Sequence, residues 1–212
     1  MDKTIFDEMI ATRRRLHRFP EEGWTEFQTT YLIATRLKEL GYTDIRLGKQ
    51  IIDTDAVLGR NLEQVRASIV RAIKNGVPEA FIEEIDELTG CVAILKTGRS
   101  GPVTALRFDI DCNPVEETDD PDHVPNREGF RSEHPGLMHA CGHDGHTAVG
   151  LAVARWLMQN KDNLCGTVKL VFQPAEEGVR GAVAIASSGI LDDVDYIVGS
   201  HCGGKVKLGE VG

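Results

Sequence analysis

Apolar positions recur at helical spacing in the first third of the chain and as short unbroken runs in the rest. Residues 4–18 place Ile5, Met9, Ile10, Thr12 and Leu16 at roughly this spacing and carry a basic cluster, Arg13, Arg14 and Arg15. Phe19-Pro20 ends the helix, because a residue before proline is pushed out of the helical region. A second helix is predicted over 24–40, with Phe27, Tyr31, Ala34 and Leu37 on one face and Gly41 as a left-handed stop. A third spans 62–74 through Leu62, Val65, Ile69, Val70 and Ile73, and stops at Asn75-Gly76 and Pro78. Residues 42–60 read as loop with one short strand. From residue 90 the pattern changes to apolar runs of strand length. Residues 91–96 and 103–108, joined by the turn-forming stretch 97–102, read as a hairpin. Residues 116–136, rich in Asp, Glu, Pro and Gly, read as a long surface loop. There follow a helix over 145–159, a strand over 168–172, a helix over 179–188 and a strand over 196–200. Helices alternating with buried strands predict an α/β fold, a sheet with helices on its faces, whose polar residues of interest follow strand ends.

Composition narrows the function more than the fold. The 212 residues are 41% hydrophobic and 27% charged, ordinary values for a globular protein. A formal net charge of −9 speaks against nucleic acid and anionic membrane surfaces as partners. No apolar run reaches the roughly 18–20 residues that would span a bilayer, and the first 18 residues mix Asp, Glu and Arg in a way that does not read as a signal peptide. The five cysteines, Cys91, Cys112, Cys141, Cys165 and Cys202, are scattered and odd in number. They read as reduced thiols of a cytoplasmic protein.

Two segments carry most of the chemistry. The first, Met138-His139-Ala140-Cys141-Gly142-His143-Asp144-Gly145-His146, packs three histidines, a thiol and a carboxylate between glycines. In an extended loop, side chains two apart point the same way, so Cys141 and His143 can converge on one ion, and a thiolate has lone pairs enough to bridge two. The competing reading is a polar loop that caps the next helix; a structural zinc site would want paired cysteines. The second segment, Phe172-Gln173-Pro174-Ala175-Glu176-Glu177-Gly178, follows a strand directly. Its adjacent carboxylates can divide their labour, one ligating a metal and the other handling the proton of the attacking water. A surface Glu-Glu pair or a helix's first turn is the alternative. His201 follows a strand in the same way, although a lone histidine there is commonly structural. Asp109 and Asp111 end the 103–108 strand and read either as supports that orient a ligating histidine or as an ordinary turn with Asn113 and Pro114. Cys202 is given no role.

At these residues the chain resembles the dinuclear metallopeptidase-like amidohydrolases, the superfamily of carboxypeptidase G-type enzymes, hippurate hydrolases and plant auxin-conjugate hydrolases. The resemblance is carried by Arg14-Arg15-Leu16-His17-Arg18-Phe19-Pro20-Glu21, Leu106-Arg107-Phe108-Asp109-Ile110-Asp111, the 138–146 block and the 173–178 segment, and it extends over essentially the whole chain. It implies a zinc-exopeptidase-like catalytic domain with a central, mostly parallel mixed sheet flanked by helices, residues 60–88 forming a helical insertion. It implies two divalent metal ions, with Cys141 bridging them, His143 and Glu177 completing the ligands of one, and His201 belonging to the other. Glu176 would be the general base and Asp111 would steady the site from behind. Asp109 stands where many relatives have a ligating histidine; Met138, His139 and His146 match the motif without a ligand role. The thiolate favours zinc, and the carboxylates and imidazoles admit manganese. The implied reaction is hydrolysis of the amide bond of N-acyl amino acids, with p-aminobenzoyl-glutamate, a folate breakdown product, as leading substrate.

Members of the superfamily are longer. They continue past the stretch that ends here at Gly212 into a lid or dimerisation domain, then return with a last histidine ligand and a grip for the substrate carboxylate. The expectation is therefore an N-terminal portion of a catalytic domain, residues 1–212, inactive by itself or completed by a second subunit or a homodimer. The alternatives are a non-catalytic metal-binding fragment and a deacylase or peptidase of the same superfamily that takes another acyl group.

Overall fold

The computed structural model describes residues 3–203. Helix α1 (Lys3–Arg18) turns Ile5, Leu16 and His17 inward, with Arg15, His17 and Arg18 in its last turn, where cations suit the helix dipole. Helix α2 (Phe27–Glu39) starts three residues later than its apolar pattern suggests, because Trp24 lies at φ +69° and the chain folds back before the helix begins. It ends as predicted: Gly41 at φ +94° lets the N–H groups of Gly41 and Tyr42 reach the carbonyls of Lys38 and Leu37. After a short strand β1 (Ile45–Arg46), helix α3 (Leu62–Lys74) is capped by Asn61, whose side chain accepts from the N–H groups of Glu63 and Gln64. Helix α4 (Glu79–Glu84) completes the 60–88 segment. Its Phe81 and Ile82, with Ile85 and with Val65 and Ala72 of α3, join the main core.

The remaining elements are β2 (Cys91–Lys96), β3 (Val103–Asp109), the single turn α5 (Val124–Arg127), α6 (His143–Gln159), β4 (Thr167–Gln173), α7 (Gly181–Ser187) and β5 (Tyr196–Gly199). The sheet runs β1-β2-β4-β3-β5; β3 is parallel to β4 and β5, and the other two pairings are antiparallel. The hairpin expected from residues 91–108 does not form, because β4 lies between β2 and β3. The reason is competition. β4 buries most of its length and belongs at the sheet's centre, where both neighbours can hydrogen-bond to it. The 97–102 stretch is then a bridge over the start of β4. Thr97 donates from its N–H and hydroxyl to Gly166 O at 3.2 and 2.9 Å, and Gly166 and Thr167 donate back to Arg99 O and Pro102 O at 3.0 Å each.

The pleat of β4 divides the interior. Leu170 and Phe172 face a core built with Phe27, Ile33, Leu37, Leu151 and Ala154, from α2 and α6. Val171 faces a second core with Trp24, Ile51, Leu88, Ala184 and Ile185. The 116–136 stretch departs from a plain surface loop: it contains α5, and Glu117 is buried, bonded to His17, His123 and the Ser132 N–H. At the sheet's edge, Tyr196, Ile197 and Val198 of β5 are exposed. Among the described residues, no helix is long and apolar enough to cross a membrane. What this architecture does for function is to bring the C-terminal ends of β3, β4 and β5 together beside the N-terminus of α6.

Candidate metal centre

The 138–146 segment converges, though not as an extended loop. His143 is the first residue of α6, and Gly142 precedes it in the left-handed region at φ +84°. That reversal turns the Cys141 and His143 side chains to one point. Glycine suits that left-handed backbone, and a Cβ on Gly142 would also lie 2.6 Å from Cys202 Sγ. The loop is pinned by Asn113, whose side chain accepts the Cys141 N–H at 3.0 Å and whose backbone exchanges two hydrogen bonds of 3.1 Å with Met138.

The proton positions on the two central histidines follow from their partners. His143 is fully buried, with Nδ1 3.0 Å from Asp111 O and 3.2 Å from its Oδ1. Both are acceptors, so Nδ1 carries the proton and Nε2 is left with a lone pair. His201 repeats the arrangement: Nδ1 donates to Cys202 O at 2.6 Å, and Nε2 lies 3.3 Å from Cys141 Sγ. The glutamate pair completes the cluster from β4, with Glu176 Oε2 3.8 Å and Glu177 Oε1 3.9 Å from His143 Nε2. Glu177 is set by Asp111, whose Oδ2 accepts the Glu177 N–H at 2.9 Å. One buried carboxylate thus aims a histidine and a glutamate together.

This donor set fits a divalent cation. Ligand atoms of Cys141, His143 and His201 lie within 4.8 Å of one another, as do those of His143, Glu176 and Glu177. His143 Nε2 and Glu177 Oε1 are buried without a hydrogen-bond partner, which is costly unless something occupies the space between them. The electrostatics agree. Burial, then the hydrogen bond and charge of Glu177 and the charge of Glu176, push the Cys141 thiol up to about 12. Burial opposes a charged His143, but Asp111, Asp109 and Glu177 outweigh it and lift its pKa. Both shifts mark surplus negative charge at one point, which a cation would offset.

All the residues singled out from the sequence, Cys141, His143, Glu176, Glu177, His201, Asp109 and Asp111, meet at this edge. Asp109 is held by Arg107 and faces His146 Nδ1 at 3.3 Å, while His146 Nε2 accepts the Cys202 N–H at 3.0 Å. Burial works against the Asp109 carboxylate, but His146 and Arg107 prevail and keep its pKa low. His139 is buried behind the cluster, and burial lowers its pKa to about 4. Sequence reading missed Arg107, Asn113 and Glu26. Arg107 links Asp109, the Gln173 side chain at 2.8 Å and Glu176 at 3.8 Å; its one local signal is a charged residue inside an apolar strand. A cavity of about 570 Å³, with Arg13, His123, Phe130, Met138 and His139 among its walls, opens beside Cys141.

Known proteins share this arrangement of chain. A Haemophilus influenzae homolog of one subunit of p-aminobenzoyl-glutamate hydrolase is 52% identical over 205 residues, 97% of this chain and 48% of that protein. The crystal structure of an aminobenzoyl-glutamate utilization protein from Klebsiella pneumoniae superposes with a TM-score of 0.77 at 36% identity, over 97% of this chain and 45% of that one. A Bacillus subtilis structure described as a dinuclear metal binding peptidase from the M20 family gives 0.70 at 32% identity, over 97% and 45%. The chain spans about half the length of the curated relatives it matches. The signature of peptidase family M20/M25/M40 covers residues 105–212. That stretch supplies most of β3, all of β4 and β5 and every candidate ligand described above, and the chain belongs to peptidase family M20/M25/M40.

Proposed function

We propose that this protein works in the hydrolysis of the amide bond of N-acyl amino acids, p-aminobenzoyl-glutamate foremost, at a centre for two divalent metal ions. The observation that carries the reading is the buried, unpartnered Nε2 of His143, fixed by Asp111 and aimed at Glu176 and Glu177, with the Cys141 thiol in the same cluster. In this reading His143 and Glu177 would hold one ion and His201 the other, with Cys141 a donor to both. Zinc suits the thiolate best and manganese is admitted by the other donors; the ions supply Lewis acidity toward the amide carbonyl and the attacking water. The chain's own residues do the rest. Glu176, a third exposed and next to His143, takes the proton of the attacking water and passes it to the leaving amine. Arg107 keeps Glu176 turned toward the cluster, and Asp111 keeps His143 in the tautomer that can ligate.

In this reading residues 1–212 are an N-terminal portion of a metallo-amidohydrolase catalytic domain, with 60–88 as a helical insertion. Among the described residues this reading assigns Cys141 and His201 to the second ion, and ligand atoms of His146 and Cys202 also lie within 4.8 Å of that of His201; catalytic zinc normally has three protein ligands. A second subunit or another copy of the chain is the proposed partner, and the Haemophilus relative's designation as one subunit of its enzyme supports assembly. The isolated chain is accordingly expected to hydrolyse p-aminobenzoyl-glutamate slowly or not at all. The test separates base from ligand. In the assembled enzyme, Glu176→Gln should retain metal and lose turnover by roughly 10²–10⁴, whereas Glu177→Gln should lose metal. The opposite pattern would reverse the assignment, and wild-type protein that binds no divalent metal would end it.

A further inference from the structure

Glu26 stands at the N-cap of α2, where a side-chain oxygen ordinarily turns back onto the first N–H groups of the helix. Its side chain makes no such bond. That work is done by Glu21, whose oxygens accept the N–H groups of Gln28 at 3.1 Å and Thr29 at 2.8 Å. Glu26 instead reaches across the core, fully buried. Its Oε1 accepts the Ala175 N–H at 2.8 Å, 149 residues away in sequence, and its Oε2 accepts the Thr89 hydroxyl at 2.6 Å.

Ala175 immediately precedes the glutamate pair and sits at φ +49°, a region L-residues avoid. Its carbonyl accepts the N–H groups of Arg180 at 3.2 Å and Gly181 at 2.8 Å, so the chain turns around this one residue. The turn is pressed into a cradle. A Cβ on Gly23 would lie 2.9 Å from Ala175 Cα, and one on Gly90 2.6 Å from Pro174 Cδ. On the other side of Glu176, the Glu177 N–H ends on Asp111. The N–H groups flanking Glu176 are therefore tied to two different carboxylates, both fully buried. Two acids so close are unfavourable company: burial first, and then the charge of Asp111, shift the Glu26 pKa upward. A fold that needed only a cap for α2 would not carry a second buried acid there.

We infer that Glu26 is a positioning residue of the metal centre: through the Ala175 N–H it fixes the direction in which Glu176 and Glu177 leave β4. This rests on the reading of those glutamates as base and ligand. Glu21 provides the control, being equally buried on the same segment with its carboxylate bonded to Gln28 and Thr29 of α2; its backbone carbonyl, which accepts the Cys112 N–H, is kept in the variants. The experiment compares Glu26→Leu and Glu26→Asp with Glu21→Leu and Glu21→Asp in the full 212-residue chain. Co²⁺ titration followed by visible absorption reads the metal centre, and hydrogen–deuterium exchange of peptides covering 173–181 in metal-free protein reads the turn. Both pairs should melt at lower temperature. Only the Glu26 variants should bind Co²⁺ about 10–100-fold more weakly with an altered spectrum, and only they should lose protection over 173–181. If Glu26→Leu does not fold, Glu26→Asp, which keeps the carboxyl group and withdraws its oxygen from Ala175, decides the question. A folded Glu26 variant with wild-type Co²⁺ affinity and exchange would overturn the inference, as would equal losses in the Glu21 variants. Wild-type protein that binds no Co²⁺ would refute the metal centre instead, and the exchange comparison would still judge the clamp.

Discussion

Asp111 is the residue at which a one-atom change should be most informative. Its carboxylate accepts the Glu177 N–H at 2.9 Å and faces His143 Nδ1 at 3.2 Å, with its own carbonyl 3.0 Å from the same nitrogen. Asp111→Asn replaces one acceptor oxygen with an NH₂ donor and leaves the shape unchanged. The amide can satisfy Glu177 only by turning its NH₂ toward His143. A donor facing Nδ1 favours the tautomer protonated on Nε2, which cannot ligate. The backbone carbonyl resists that switch, so the loss should be partial: about 10–100-fold in metal affinity, or ~1.4–2.8 kcal/mol. Stability should fall less than the ~1–3 kcal/mol of a donor left unsatisfied, because removing this charge relieves buried Glu26. The assays are Co²⁺ titration, urea unfolding of metal-free protein, and ¹⁵N chemical shifts of the His143 ring, which report the protonated nitrogen directly. Wild-type affinity in a folded Asp111→Asn protein, with Nε2 still unprotonated, would refute the argument.

Cys141→Ala removes the one donor shared by both proposed ions, so elemental analysis should show reduced occupancy at both positions; unchanged metal content would sink the bridging assignment. The buried His17 cluster sets a pH window. Burial opposes the charge on His17, but its hydrogen bonds to Asp144 and Glu117 outweigh it and raise its pKa above 6.5, so its stabilisation is complete below 6.5 and lost as pH rises through the folded value. Glu117 is the mirror case: burial is outweighed by the Ser132 N–H, His17 and His123, its pKa lies below 4.5, and its contribution is lost as pH falls through that lowered value. The difference in melting temperature between wild type and His17→Gln should thus be largest between these limits and shrink as pH rises through the raised His17 value; a difference that grows with pH would contradict the sign.

What the sequence discloses is what depends on neighbours in sequence. Helix α3 runs from Leu62 to Lys74 as its apolar spacing and the stop at Asn75-Gly76 predict, because cap, face and stop all lie within the segment. The loops that converge at the candidate centre stand out in the sequence for the same reason: glycines, a thiol, imidazoles and paired acids are concentrated in two short stretches at element boundaries. The hairpin failed because the partner that displaced it, β4, lies more than fifty residues further on. Helix α7 begins at Gly181 and not at Val179, because the turn around Ala175 is still closing there, with Val179 itself at φ +57°. Glu26 was missed because nothing beside it in sequence distinguishes it, and Arg107 because a charge inside an apolar strand does not name its partner; the contacts that suggest their roles form only where distant segments meet.

Those missed residues bear on why the site should take a cation at all. Glu26, Asp109 and Asp111 are buried, Glu176 and Glu177 are partly so, and the Cys141 thiol lies among them. Among the described residues, the guanidinium paired with this group is that of Arg107, bound to Asp109 and within reach of Glu176. Asp109 and Arg107 offset one another, which leaves Asp111, Glu26 and the glutamate pair short of positive charge. Buried acids persist when they are paired, hydrogen-bonded or bound to metal. The Ala175 N–H and the Thr89 hydroxyl account for Glu26, and the Glu177 N–H for one oxygen of Asp111. They do not account for Glu177 Oε1, which is buried beside the equally unpartnered Nε2 of His143. A monovalent side chain could not serve both this pair and the thiol, because their donor atoms spread over a cluster several ångströms across. A compact divalent ion answers an acceptor oxygen, an imidazole lone pair and a thiolate at once, so the deficit in charge and the orphaned donors point to the same occupant.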